Sequence, residues 1–320
     1  MGMKFGFLLA GLLIGGAAFA AAPGNTPYWA YPVPMPTKGP APKPDDTVKH
    51  RLPGSKAAFT DAGVNDRFSV PDWYPGDHPK APDVVLHGRK PDTWACGYCH
   101  LPTGEGRPEN ASLAGQPADY LIAQVMAMKN HARKTSEPRM GSIQSMYKVA
   151  AAVSPQDLKT AADYFSKLHY KKWIRVVETD MVPRTVISSH SMLLAVPGPR
   201  EKIGTRIIEA PEKTDRIELR DTRTGFVAYV PKGAIARGKT LVESGAGAFP
   251  CAACHGPGYK GNGSVPALAG RGPSYLVRQL YDFQKGTRGG AGADMMRPEV
   301  ANLDDAKRVD IAAYLASLSP

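Results

Sequence analysis

The pentapeptide Cys-x-x-Cys-His occurs twice, at Cys96-Gly97-Tyr98-Cys99-His100 and at Cys251-Ala252-Ala253-Cys254-His255, and the two copies use all four cysteines of the chain. Two thiols three positions apart can each bond to a haem vinyl group while the adjacent histidine reaches the iron. The spacing therefore predicts c-type haem attachment. A zinc site would want four ligands from two such pairs close in sequence, and these pairs lie 155 positions apart (96 to 251). A thioredoxin-like pair would sit in a βαβ context, and none is visible here.

Shifted by 155 positions, the chain matches itself well beyond the pentapeptides. Leu113-Ala114-Gly115 falls on Leu268-Ala269-Gly270, Tyr120-Leu121-Ile122-Ala123-Gln124 on Tyr275-Leu276-Val277-Arg278-Gln279, and Arg133 on Arg288. Past that point the offset drops to 150, pairing Tyr164 with Tyr314 and Leu168 with Leu318.

Each copy closes on an amphipathic helix pattern. Leu158, Ala161, Phe165 and Leu168 recur at helical spacing in the first copy, and Ile311, Leu315 and Leu318 in the second. Ser154, with Pro155 and Asp157 behind it, makes one cap and Asp304 makes the other. The segments starting at Tyr120 and Tyr275 read as helices after turns at Gly115 and Gly270. Residues 235–244 read as a helix feeding the second motif, whereas Pro82 and Pro91 shorten or replace its counterpart in the first.

Outside the copies, residues 21–85 are rich in Pro, Gly and polar groups, with Pro32-Val33-Pro34-Met35-Pro36 favouring extended backbone. Residues 171–232 carry β-character at Thr205–Glu209 and Gly225–Val230. The expected organisation is a signal peptide (1–20), a proline-rich extension (21–85), a first haem domain (86–170), an insertion lying as a strap over the haem domains (171–232) and a second haem domain (233–320).

Lys4, the apolar run Phe5–Ile14 and Ala18-Phe19-Ala20 have the layout of a secretory leader. Export across the bacterial cytoplasmic membrane to the periplasm is the expectation, with membrane association only through a partner or an uncleaved leader. The formal charge is +11; loss of the leader leaves 39 basic against 29 acidic residues, +10. Such a surface suits redox partners with acidic docking faces. Nucleic acid is not expected as a partner, because export and the lack of a basic-aromatic stripe argue against it.

A haem that moves electrons usually takes methionine opposite its histidine, since the soft thioether favours reduced iron. Met146 stands eight residues before Ser154, and Met296 stands eight before Asp304. Register thus pairs His100 with Met146 and His255 with Met296, with Met140 and Met295 as alternatives. Met126 and Met128 sit within the middle helix. Arg133 and Arg288 are candidates for the haem propionates, although solvated arginines would read the same way. The other histidines have no repeat partner and are expected at the surface.

The motif, Leu-Ala-Gly, Tyr-Leu-x-x-Gln, the methionine and a closing Ala-Asp-Tyr or Ala-Ala-Tyr helix together resemble the two-haem class I cytochromes c of the cytochrome c4 type. The likeness spans residues 94–169 and 233–320. It implies a mainly α fold with two c-type haem domains in tandem, here carrying a proline-rich arm and a β-containing insertion. It also implies two covalent haem c groups, periplasmic single-electron transfer, and a backbone carbonyl accepting the ligand imidazole N–H. Pro266 stands at that acceptor position in the second copy, and the non-proline Ala111 in the first. An electron carrier is the leading reading. A cytochrome subunit of a periplasmic dehydrogenase is the alternative, and a haem enzyme with a displaceable axial ligand is a third.

Overall fold

The computed structural model describes residues 26–35 and 46–320. The leader-like segment and Pro36 lie outside the described residues. Within the extension, strands β1 (Lys49–His50) and β2 (Phe59–Thr60) pair antiparallel, followed by helix α1 (Asp61–Asn65) and the four-residue α2 (Asp83–Leu86). The first repeat then supplies α3 (Cys96–His100), α4 (Ala118–Lys129), α5 (Gly141–Ala152) and α6 (Pro155–Ser166).

The insertion holds β3 (Ile174–Glu178), β4 (Met181–Val182), β5 (Thr185–Ile187), β6 (Leu193–Ala195), β7 (Glu201–Lys202), β8 (Ile208–Pro211), α7 (Thr214–Glu218) and β9 (Phe226–Val230). The second repeat gives α8 (Ala234–Ser244), α9 (Ala252–His255), α10 (Pro273–Gln284), α11 (Ala293–Val300) and α12 (Asp305–Ser317).

The closing helices start where the caps put them. Ser154 Oγ accepts from the Asp157 N–H at 3.0 Å, and Asp304 Oδ1 accepts from the Lys307 N–H at 2.8 Å. In the second unit α8 crosses α12 closely. A Cβ on Gly238 would lie 1.9 Å from the Asp310 carbonyl oxygen, so only glycine allows this approach. Arg237 clamps the same crossing with two 2.8 Å bonds to the Asp310 carboxylate. The first unit has no long opening helix. The short α2 takes that side, packing on α3 and α6.

In the insertion, β3 runs parallel to β9 and β8 antiparallel to it, in the order β3-β9-β8. Strand β8 begins at Ile208 rather than at Thr205. Arg206 fastens the irregular stretch after β7, donating to the carbonyls of Ile203 (2.7 Å) and Lys202 (2.6 Å) and to the Glu201 carboxylate (3.0 Å).

The largest apolar core joins the insertion to the second unit and takes in Trp29, Ala30 and Tyr31 of the arm. The arm is therefore partly an internal plug, although its sequence reads as an external extension. Tyr31 Oη lies 2.7 Å from Asp282 Oδ1 and 3.0 Å from the Arg278 carbonyl. Arg278, buried on α10, donates to the carbonyls of Ala30 (2.8 Å) and Pro108 (2.6 Å). One guanidinium thus ties the arm, the first unit and the second unit together.

Replacing Gly238 with valine should force α8 off α12 and destabilise the holoprotein by about 1–3 kcal/mol. Chemical unfolding followed by helical circular dichroism checks this.

Candidate functional site: two facing haem crevices

After each motif histidine the chain makes a tight loop, and the two loops superpose in hydrogen-bond detail. Gly106 N–H returns to the His100 carbonyl at 3.0 Å, and Gly261 N–H returns to the His255 carbonyl at 2.8 Å. Both glycines have positive φ, 69° and 91°. A Cβ at 106 would stand 2.6 Å from the Ala111 carbonyl oxygen. Glycine is needed here because that carbonyl must come in close.

The carbonyl matters because of what it accepts. His100 Nδ1 lies 2.9 Å from the Ala111 oxygen, and His255 Nδ1 lies 2.8 Å from the Pro266 oxygen. A carbonyl can only accept, so Nδ1 carries the proton in both rings and Nε2 keeps its lone pair for iron. The acceptor is a main-chain atom, so alanine serves as well as proline. Burial pushes both imidazoles below their ordinary pKa, which keeps them neutral.

Both motifs face one continuous cavity of about 750 Å³. Its lining is mostly apolar and includes Cys96, Cys99, His100, Cys251, Cys254 and His255. Met140, Met146, Met295 and Met296 also line it, as does Met128 of α4. Burial pushes the Cys96 thiol up to about 12 and the Cys251 thiol up to about 11.

Between the two motifs the units meet about a local two-fold axis. The backbones of Arg133 and Arg288 form an antiparallel bridge, with Lys134 N–H on the Thr287 carbonyl (2.8 Å) and Gly289 N–H on the Ala132 carbonyl (2.9 Å). Their side chains cross. Arg133 donates to Gln124 of its own unit (2.9 Å) and to Tyr275 and Gln279 of the other (both 3.1 Å). Arg288 donates to its own Gln279 (2.8 Å) and to Tyr120 and Gln124 across the interface (both 3.0 Å).

At 7% and 6% exposure these arginines are not solvated. Tyr and Gln stand four apart on α4 and again on α10, so each helix presents both to the same face.

The cavity suits haem. Its walls are apolar, each end offers a neutral imidazole nitrogen beside two thiols, and its middle is lined by Arg133, Arg288 and Arg271. Arg271 gives one bond to the Ala114 carbonyl (2.9 Å), and its Nε and Nη1 have no partner among the described residues. Buried cations held by neutral groups call for anions, and haem carboxylates are anions.

Sequence reasoning paired Arg133 with Arg288 but missed Gly106 and Gly261, Arg271, and Tyr31 with Arg278. The first pair keeps the 155 spacing and was visible. Arg271 falls on Gln116 and breaks the repeat, although Gln116 also crosses the interface, exchanging two 2.9 Å bonds with Ala267.

Tandem helical units, each with a Cys-x-x-Cys-His loop on a shared apolar crevice, define a di-haem c-type cytochrome. The Cytochrome c family model matches residues 235–319. The chain is 32% identical over 94 residues to cytochrome c-554(547) of Halothiobacillus neapolitanus, covering 27% of this chain and 98% of that protein. It is 25% identical over 228 residues to cytochrome c4 of Azotobacter vinelandii, covering 70% of this chain and 84% of that one. Over 239 residues it is 25% identical to a protein of Thiomonas intermedia named thiosulfate dehydrogenase electron acceptor, covering 72% and 82%. The chain belongs to the cytochrome c family.

Arg133→Ala and Arg288→Ala should be non-additive, with a coupling of about 0.5–3 kcal/mol in a double-mutant unfolding cycle, because they share Gln124, Gln279 and both tyrosines.

Glu105 lies buried in the loop between His100 and Ala111. Burial pushes it up to about 7, and its Oε2 has no partner among the described residues. The folded chain therefore holds a proton that the unfolded chain releases, and stability falls as pH rises from about 4.5 towards 7. Glu105→Gln should remove this fall, gaining on the order of 2–3 kcal/mol over wild type by pH 8 in denaturant titrations.

Proposed function

We propose that this chain is a periplasmic electron carrier with two covalently attached haem c groups, the first iron held by His100 and Met146 and the second by His255 and Met296. Bound haem supplies one-electron Fe(III)/Fe(II) chemistry. The observation that carries the reading is the matched pair of Nδ1-anchored histidines at the two ends of one apolar crevice.

The chain's own contribution is positional. The Ala111 and Pro266 carbonyls fix the imidazole planes and make the ligand nitrogens more basic. Apolar walls exclude water, which favours the less charged, reduced state. Arg133, Arg288 and Arg271 would supply the cations that haem propionates need.

Register supports both methionines, and packing supports Met296 over Met295. Met146 on α5 and Met296 on α11 keep the same distance from their closing helices. Met296 packs half-buried against the main core, whereas its neighbour Met295 is 66% exposed. Met140 is buried at the N-terminal boundary of α5. The leader-like start supports export, and no helix among the described residues is long and apolar enough to cross a membrane. The excess of basic residues suits donors or acceptors with acidic faces.

The name of the Thiomonas relative favours a second reading, in which the chain serves as the electron-accepting subunit of a dehydrogenase. Stable copurification with a substrate-oxidising protein would decide for it.

The purified holoprotein should contain two haems per chain and show a near-infrared methionine-to-iron band for both. Met146→Ala and Met296→Ala should each remove one band, admit carbon monoxide at one iron and lower that haem's potential, within the roughly 0.8 V that axial ligands span. Met140→Ala and Met295→Ala should keep both bands.

A further inference from the structure

The repeat allows the two motif edges to be compared residue by residue, and they differ sharply in what covers them. In the first unit Tyr98 is buried. Its carbonyl accepts from Arg220 Nη1 at 2.6 Å, and its ring lies 3.7 Å from the same guanidinium. Arg220 comes from the insertion, and its Nε also donates to the Val64 carbonyl of the extension at 3.0 Å. Trp73 donates to the Leu219 carbonyl at 2.6 Å, and Arg223 grips the Asp77 carboxylate with two 2.7 Å bonds. Trp94 lies under the Arg67 guanidinium at 4.1 Å. Residues 64–77 and 219–223 thus close over this edge.

The matching positions of the second unit are bare. Phe249 stands where Trp94 does and is 63% exposed. Ala253 and Cys254, which match Tyr98 and Cys99, are also exposed. Met295, Ala248 and Pro250 complete an apolar rim, and Phe249, Met295 and Cys254 line the haem cavity itself.

Two carboxylates next to this rim pair with cations of the chain, and a third is capped by main-chain N–H groups. Asp294 pairs with Arg297 at 2.6 Å and Glu243 with Lys239 at 3.9 Å, while Glu299 accepts the N–H groups of Ala248 (2.9 Å) and Phe249 (3.2 Å).

We propose that the rim of Ala248, Phe249, Pro250, Ala253 and Met295 is the docking face for a one-electron redox protein, and that the first unit has no such face because the chain's own extension and insertion occupy it. The proposal rests on the two-haem reading. The rim is continuous with the cofactor cavity, so its occupant is a protein that exchanges electrons. Because the rim is apolar and the carboxylates beside it are engaged within the chain, the centre of the partner's face is uncharged and apolar. Acidic groups on that partner belong further out, where the basic body attracts them.

The test uses the full holoprotein with a small oxidised blue-copper protein as probe, each transfer taking one electron and reducing Cu(II) to Cu(I). Fully reduced wild type and the Phe249→Asp, Met295→Asp and Arg67→Glu variants are mixed with the probe by stopped flow. Haem content and both midpoint potentials are measured alongside.

A charge placed in an apolar docking centre should slow oxidation of both haems about tenfold or more in the first two variants. Arg67→Glu, on the covered edge, should change the rate less than about twofold. Hydroxyl-radical labelling should mark Met295 in the free protein, and a redox-inactive zinc-substituted probe should protect it.

The proposal is overturned if half of the haem absorbance still reacts at the wild-type rate in Phe249→Asp, if Arg67→Glu slows the reaction equally, or if sedimentation shows the rim buried in a dimer of this chain. Fewer than two haems per chain would instead sink the reading beneath it.

Discussion

Two buried guanidinium groups, crossed at a local dyad and held only by neutral side chains, are the constraint around which this molecule is arranged. Arg133 and Arg288 each reach into the other unit, so neither hydrogen-bond set is complete in an isolated half. Burying such cations is unfavourable unless strong acceptors surround them. The tyrosines and glutamines of α4 and α10 provide part of that compensation, and haem carboxylates fit the remainder. The interface and the cofactor crevice are thus one feature, since the residues that join the units also line the space between the two motifs.

The extension and insertion break the symmetry that the repeat establishes. Tyr31 and Arg278 pin the arm into the second unit, while Arg220 and Trp73 seal the outside of the first. The chain therefore has a covered half and an open half. Two ends that a bare tandem repeat would leave equivalent become different environments, one crossed by the buried Arg220, the other bordered by the exposed Phe249 and Met295.

Much of the site was legible because its chemistry is local. The Cys-x-x-Cys-His runs, the capped closing helices at Ser154 and Asp304, and the turn glycines 115 and 270 follow from covalent spacing, helical period and backbone sterics over a few residues. The repeat offset also exposed Tyr120 with Tyr275 and Arg133 with Arg288 as matched pairs. It did not show that they cross, because a matched position says nothing about which unit a side chain enters. The departure of Ala111 from proline had no structural consequence, since the bond to His100 uses a main-chain oxygen.

The sequence by itself determined that two equivalent helical units each present a histidine and two thiols to a covalent cofactor, because those demands are met within about fifty residues of chain. Only the tertiary structure decided that Trp29–Tyr31 plugs the main core, that Arg278 staples three segments, and that one motif edge is roofed while the other stays open. Those outcomes depend on pairs such as Tyr31 with Asp282, 251 positions apart, and Arg220 with Tyr98, 122 apart. Contacts at such separation leave no period or spacing to read, and they exist only once the chain has closed on itself.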